Sequence, residues 1–163
     1  MQCKLMWLVG QMLMWSLVLS ACKGEIATSP VGIVGYNHTD TRIVQFLVNG
    51  GSGGSFVQAH GGGGGITCCV SIPTWWRPAL QVEVEWTTDL KNYQRQVVSI
   101  PEYDRKAARM TVHFLRNGDV KVFVTSLGLG HPDYPLKGPE AGLIEGEDPV
   151  RPHLRRQPSK EAP

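Results

Sequence analysis

Leu80-Gln81-Val82-Glu83-Val84-Glu85-Trp86 alternates apolar and polar residues without a break. Strand geometry turns successive side chains to opposite faces. Leu80, Val82, Val84 and Trp86 therefore share one face, and Gln81, Glu83 and Glu85 the other. One face belongs on a core and the other in water, the pattern of an antiparallel sheet.

The same period-two signal extends in both directions. Towards the N-terminus, Val31–Tyr36 is a short apolar run, and Arg42–Val48 places Val44, Phe46 and Val48 on one face. Ile66–Ile72 is a β-branched run through Cys68 and Cys69. Towards the C-terminus, Tyr93–Ile100 is closed by Pro101. Arg109–Leu115 directs Met110, Val112 and Phe114 inward and Arg109, Thr111 and His113 outward. Asp119–Val124 follows with Val120, Val122 and Val124 on one face. Between the last two runs lies Arg116-Asn117-Gly118-Asp119, a hairpin signal in which both central residues are expected at positive φ. Helical periodicity is scarce; a single turn is expected near Pro101–Ala108. The fold class is all-β: a single antiparallel β-sandwich, immunoglobulin-like in general architecture, of about seven strands with little helix.

Composition agrees with that reading. Of 163 residues, 42% are hydrophobic and 18% charged, which excludes a disordered polyelectrolyte. A formal charge of +2 supplies no drive towards nucleic acid. The 19 glycines are clustered, which excludes collagen.

The first 21 residues read as an address. A basic start at Lys4 precedes the apolar stretch Leu5–Leu19, too short to span a bilayer and suited to a signal-peptide core. Leu19-Ser20-Ala21-Cys22 then matches the lipobox of bacterial lipoproteins, which makes Cys22 the lipidation site. Lys23 stands where Asp would favour inner-membrane retention. The expected location is thus the outer membrane, with the protein lipid-anchored and facing the periplasm. The expected domain organisation is a lipoprotein signal peptide at 1–21, a membrane tether at 22–30, the β-sandwich at 31–135, and a Pro-rich disordered tail at 136–163.

Removing Cys3 with the signal and acylating Cys22 leaves only Cys68 and Cys69 as thiols. Two neighbours cannot staple distant strands. In an oxidising compartment they can close a vicinal disulfide; alternation along a strand would instead point one into the core and the other out. No Cys-x-x-Cys pair or His pair at ligand spacing is present, so no metal is expected, and no cofactor.

Gly50-Gly51-Ser52-Gly53-Gly54 spells G-x-S-x-G, but a nucleophile elbow needs a helix after the Ser, and a strand pattern follows. A hydrolase using Ser52 or Ser55 with His60 is therefore not expected, and neither are His38–Asp40 or His131–Asp133 pairs without a nucleophile. Gly61–Gly65 lacks the Lys-Ser/Thr and the helix of a phosphate loop. It reads as a pliable connection between strands. No catalytic residues are assigned, and the protein is expected not to be an enzyme. Pro73-Thr74-Trp75-Trp76-Arg77-Pro78 offers a binding corner, because Trp and Arg are favoured at interface hot spots. One Trp is expected in the core; the other is either buried as well or a surface anchor.

Several segments taken in order resemble a known family. They are Val34-Gly35-Tyr36-Asn37-His38-Thr39-Asp40, Ile43–Gly50, Gly61–Gly65 with Cys68-Cys69-Val70, Pro73–Pro78, Leu80–Asp89, Val112–Leu115 and Gly130-His131-Pro132-Asp133-Tyr134-Pro135. Together they are similar to small proteobacterial lipoproteins catalogued as a domain of unknown function. That family's genes often lie beside those of type VI secretion lipase effectors, and its members are taken to be immunity proteins. The resemblance covers residues 31–135 and implies a binder that neutralises a phospholipase effector in the periplasm. It supplies no catalytic residues, and it says nothing about the tail. The candidate partner contacts are Trp75, Trp76, Arg77, His60, Asn37 and His38; no nucleic acid or small-molecule substrate is expected. A structural or assembly lipoprotein of the envelope, without an enzyme target, shares the lipobox and the sandwich.

Overall fold

The computed structural model describes residues 26–51, 53–62 and 65–147. The signal segment, Cys22, Ser52 and residues 148–163 of the tail lie outside the described residues.

Among the described residues, nine strands form two sheets. One sheet contains β1 (Thr28–Asn37), β4 (Gly61–Gly62), β5 (Thr67–Pro73), β8 (Arg109–Phe114) and β9 (Val120–Thr125). The other runs in the order β3 (Gly53–Val57), β2 (Ile43–Val48), β6 (Gln81–Thr87), β7 (Tyr93–Ser99). The all-β, sandwich-like architecture is thus present. Its core joins Ile33, Phe46, Val48, Val84, Met110, Val112 and Val122, all at most 1% exposed, between the facing sheets.

The Leu80–Trp86 alternation is realised in β6. Val82, Val84 and Trp86 are buried, while Glu83 and Glu85 lie on the outer face, where both pair with Arg95 of β7. The Asn-Gly hairpin also forms, with Phe114 opposite Val120. Its turn differs from expectation: Gly118 alone takes positive φ (87°), and Gly118 N–H donates to the Leu115 carbonyl at 3.0 Å. A tight turn closed by one left-handed Gly needs no positive φ at Asn117.

Three further differences matter for the site. First, β1 and β8 pair in parallel, from Gly32 opposite Arg109 to Asn37 opposite Phe114. The chain between them builds the whole second sheet, and so long a connection permits a parallel pair where a hairpin would not. Second, the Gly-rich stretch contributes β3 and β4, which makes nine strands rather than about seven. Gly content masked them, because a Gly leaves no side chain for alternation to show. It is also required there: a Cβ at Gly54 would sit 2.5 Å from Phe46 Cε1. Gly62 has φ of +151°, and a Cβ on it would meet the Gly35 carbonyl at 2.4 Å.

Third, the boundaries of the body shift at both ends. β1 begins at Thr28, inside the stretch assigned to the tether. The tail expected to be disordered from residue 136 is instead docked at its start. Leu136 is 3% exposed and packs with Tyr134, Leu115 and Phe123 into a second apolar cluster on the outer face of the β8–β9 sheet. A short 3-10 turn, η1 (Gly138–Ala141), follows, and the chain is bonded to the body as far as Leu143. The single turn expected near Pro101–Ala108 is present, closed by Ala107 N–H on the Asp104 carbonyl.

Candidate functional site

The outer face of β8 was expected to carry solvated polar residues. Thr111 and His113 do point away from the sandwich core, yet both are 0% exposed. The segment from Leu127 to Leu136 covers them as a third layer. His113 is stacked on Tyr36 at 4.8 Å and flanked edge-on by Phe123 and Tyr134.

A buried polar group must be hydrogen-bonded, and here a chain of bonds meets that need. His38, also 0% exposed, lies at the end of β1. Its Nδ1 is 3.0 Å from the Gly142 carbonyl, which can only accept, so Nδ1 carries the proton. In the neutral ring Nε2 is then an acceptor, and His113 Nδ1 donates to it at 3.0 Å. His113 Nε2 in turn accepts from Tyr134 Oη at 2.7 Å. Tyr134 Oη is also hydrogen-bonded to Thr111 Oγ1 at 2.8 Å. One carbonyl at the end of the chain sets the tautomer of two rings. Burial lowers the pKa of His38, against the opposing pull of the Gly142 carbonyl and the Glu140 carboxylate. Burial takes His113 well below the usual imidazole value and holds the Tyr134 phenol above its ordinary range.

The docked tail segment is gripped beside this chain. Arg116, from the β8–β9 hairpin, donates through Nη2 to the carbonyls of Gly142 (3.0 Å) and Leu143 (2.8 Å) and through Nη1 to Glu140 (2.7 Å). His60 Nδ1 donates to the Leu143 carbonyl at 3.1 Å, and its Nε2 meets Asp40 Oδ1 at 2.7 Å. The Leu143 bond, then Asp40, raises the pKa of His60. His60 holds φ of +49°, an uncommon conformation for a residue with a side chain. Residues 139–143 therefore form a strap held by His38, His60 and Arg116 at one end of the sandwich.

The candidate contacts separate accordingly. Asn37 is fully buried and builds a turn, accepting from Thr39 N–H and Oγ1 and donating to the Thr41 carbonyl. Asn37 and His38 are thus consumed internally and present no surface, which corrects their assignment as contacts. His60 is half-buried against the strap. Trp75 is 65% exposed, whereas Trp76 is half-buried and donates its Nε1–H to the Ile100 carbonyl at 2.9 Å. Arg77 is exposed. These three lie at the opposite end, since β1 spans Thr28–Asn37, about 30 Å at ~3.3 Å per residue. Cys68 and Cys69 are joined by a disulfide on β5, and neither is in the core. His38 does not meet Asp40, and both nitrogens of His60 are engaged away from Ser55.

Sequence reasoning missed His113, Tyr134, Arg116 and Phe56. Alternation put His113 on a polar face, correctly, but alternation cannot show what covers that face. Phe56 lay in the Gly-rich stretch with no pattern around it. It holds φ of +54° and is 62% exposed, with the Arg42 guanidinium 5.7 Å from its ring centre. It borders a cleft of about 380 Å³ between the two sheets, lined also by Gly35, Phe46, Gly54 and Thr67. Among the described residues, no group of three or more His, Cys, Asp or Glu side chains could hold a metal ion.

These features define a class of small two-sheet β-domain whose outer sheet face is covered by residues 127–136 and whose end is closed by the 139–143 strap. Residues 36–122 match the profile of a family described as a protein of unknown function (DUF3304), and the chain belongs to that family. The matched span contains His38, His60, His113 and Arg116 and stops before Tyr134 and the strap. No curated protein and no solved structure matches the chain.

Proposed function

We propose that this protein is a periplasm-facing lipoprotein, anchored through Cys22, that binds and neutralises a type VI secretion phospholipase effector. The carrying observation is Phe56. A bulky residue held at positive φ costs on the order of 1–3 kcal/mol, and such strain concentrates at functional sites. Here the strain displays an aromatic ring to solvent at the rim of an open cleft. An exposed aromatic ring on a glycine-rich strand suits a partner surface better than it suits stability.

The strap end supports binding rather than proton chemistry. Its buried rings give every nitrogen to a structural bond, which leaves a rigid platform around the adaptable rim. Lipid attachment would hold this platform on the membrane that a phospholipase attacks and raise its effective concentration there.

The test is co-purification of the mature chain with the phospholipase encoded beside its gene, combined with a phospholipid-hydrolysis assay. A complex at micromolar concentration with hydrolysis suppressed is the expected result. Free mixing with undiminished hydrolysis overturns the proposal.

A further inference from the structure

The Trp75 corner lies where the chain enters the fold. Thr74 N–H donates to the Ala27 carbonyl at 2.9 Å, and Thr74 Oγ1 meets Ser29 Oγ at 3.0 Å. These bonds fix the Pro73–Pro78 loop against the first described residues. Ala27 stands five residue steps after Cys22, a reach of at most roughly 18 Å when fully extended. If Cys22 carries the lipid, as the lipoprotein reading holds, the corner cannot be far from the bilayer surface.

The chemistry of the corner fits that surface. Trp75 is 65% exposed, and the Arg105 guanidinium lies over its ring at 5.0 Å. Arg77 and Lys106 are exposed beside it, and Ile26 at the chain's entry is 48% exposed. The neighbouring loop also carries Glu102 and Asp104. Asp104 turns its carboxylate onto the Lys106 amide at 2.8 Å. Rigid support comes from Tyr103, whose hydroxyl donates to the Pro73 carbonyl, and from Trp76 on Ile100. An indole favours the headgroup level of a bilayer, and clustered Arg and Lys side chains favour anionic headgroups.

We infer that Trp75, Arg77, Arg105 and Lys106 form a membrane-docking surface that seats this end of the sandwich on anionic phospholipid. The inference rests on lipidation at Cys22 and not on the identity of the effector. The anchor makes even a weak second contact persistent, because one attachment turns the other into an intramolecular event. Docking in this pose directs the strap end and the Phe56 half of β3 away from the bilayer, since β3 pairs Val57 with Ile43 near the end of the fold remote from Thr28.

The experiment uses the full acylated chain reconstituted in vesicles of phosphatidylethanolamine and phosphatidylglycerol with brominated acyl chains. Vesicle flotation reports the anchor, and quenching of tryptophan emission reports docking. The wild-type chain is expected to float and to be quenched. Trp75→Phe is expected to float equally and lose the quenching, leaving the emission of Trp76 and Trp86. Arg105→Gln is expected to float with quenching reduced, as is the wild-type chain in vesicles of phosphatidylcholine alone. Flotation without quenching, or quenching unchanged in Trp75→Phe, overturns the docking surface and leaves the anchor standing. A chain that does not float overturns the anchor, and the docking pose with it.

Discussion

His38 Nε2 lies 3.0 Å from His113 Nδ1, and neither ring reaches solvent. Only one proton fits between two ring nitrogens, so the two rings cannot both be charged. Both folded pKa values lie below the ordinary 6.5, burial being the main cause.

Stability is therefore expected to fall as the medium is acidified. Below pH 6.5 the unfolded chain takes up protons that folded His38 and His113 refuse, so ν_U exceeds ν_N and stability rises with pH in that window. Their contribution is fully present above 6.5 and is lost progressively below it. His60 has the opposite sign: its pKa is raised, so its contribution is present below 6.5 and lost as pH rises through its folded value. Urea unfolding of wild type, His113→Gln and His60→Gln across pH 5–8 separates the two. A wild-type curve flat from pH 7.5 to 5, with His60→Gln equally flat, contradicts this account.

Tyr134→Phe removes one oxygen, strands His113 Nε2 and leaves Thr111 Oγ1 only its 3.4 Å bond to the Phe123 carbonyl. Leaving buried polar groups unpaired costs about 1–3 kcal/mol. Thr111→Val in the same background should cost less than it does in wild type, because its Tyr134 partner is already gone. Equilibrium denaturation of the two single variants and the double variant measures that coupling.

Arg116→Ala should free the strap without unfolding the sandwich. The Gly142 and Leu143 carbonyls lose both guanidinium donors, and Glu140 loses its ion pair. Hydrogen exchange at residues 139–144 is expected to accelerate while β6 stays protected. Arg116→Lys should not restore protection, since one ammonium cannot reproduce a planar fork reaching two carbonyls and a carboxylate. Uniform acceleration across both sheets would show that the strap holds the whole fold.

Phe56→Gly is expected to separate stability from binding. Glycine adopts φ of +54° without penalty, so the folded state should be no less stable than wild type, within about 1 kcal/mol. Loss of the exposed ring should weaken effector binding at least about tenfold, the scale of a modest aromatic hot spot. Thermal unfolding and titration calorimetry supply the two numbers. Unchanged affinity would remove Phe56 from the contact surface.

Reduction of the Cys68–Cys69 disulfide should change stability by less than about 1 kcal/mol. Disulfide stabilisation grows with the length of chain enclosed, and neighbouring residues enclose none. Unfolding of wild type with and without a reducing agent, beside a Cys68→Ser/Cys69→Ser variant, tests this. A loss of several kcal/mol would mean that the ring sets the conformation of β5.

Legibility followed the presence of side chains in pattern. β6, β8 and β9 were readable because each alternates large apolar and polar residues over six or seven positions. β3 and β4 were not, because Gly53, Gly54, Gly61 and Gly62 leave no side chains for the period to act on. Trp75 is exposed, but Trp76 is half-buried outside the core, its indole N–H bonded to the Ile100 carbonyl. Asn37 and His38 failed as surface contacts because a polar residue at a strand end is equally suited to a turn or to a buried hydrogen bond.

By itself the sequence determined seven of the nine described strands, the two-faced core, the final hairpin and the adjacency of Cys68 and Cys69. Those follow from local periodicity and turn chemistry. The tertiary structure alone decided that β1 lies parallel to β8, that His113 is covered, and that residues 139–143 close over His38, His60 and Arg116. The reason is separation along the chain: Gly142 lies 104 residues from His38. A polar strand face reads the same whether water or a distant strap will satisfy it.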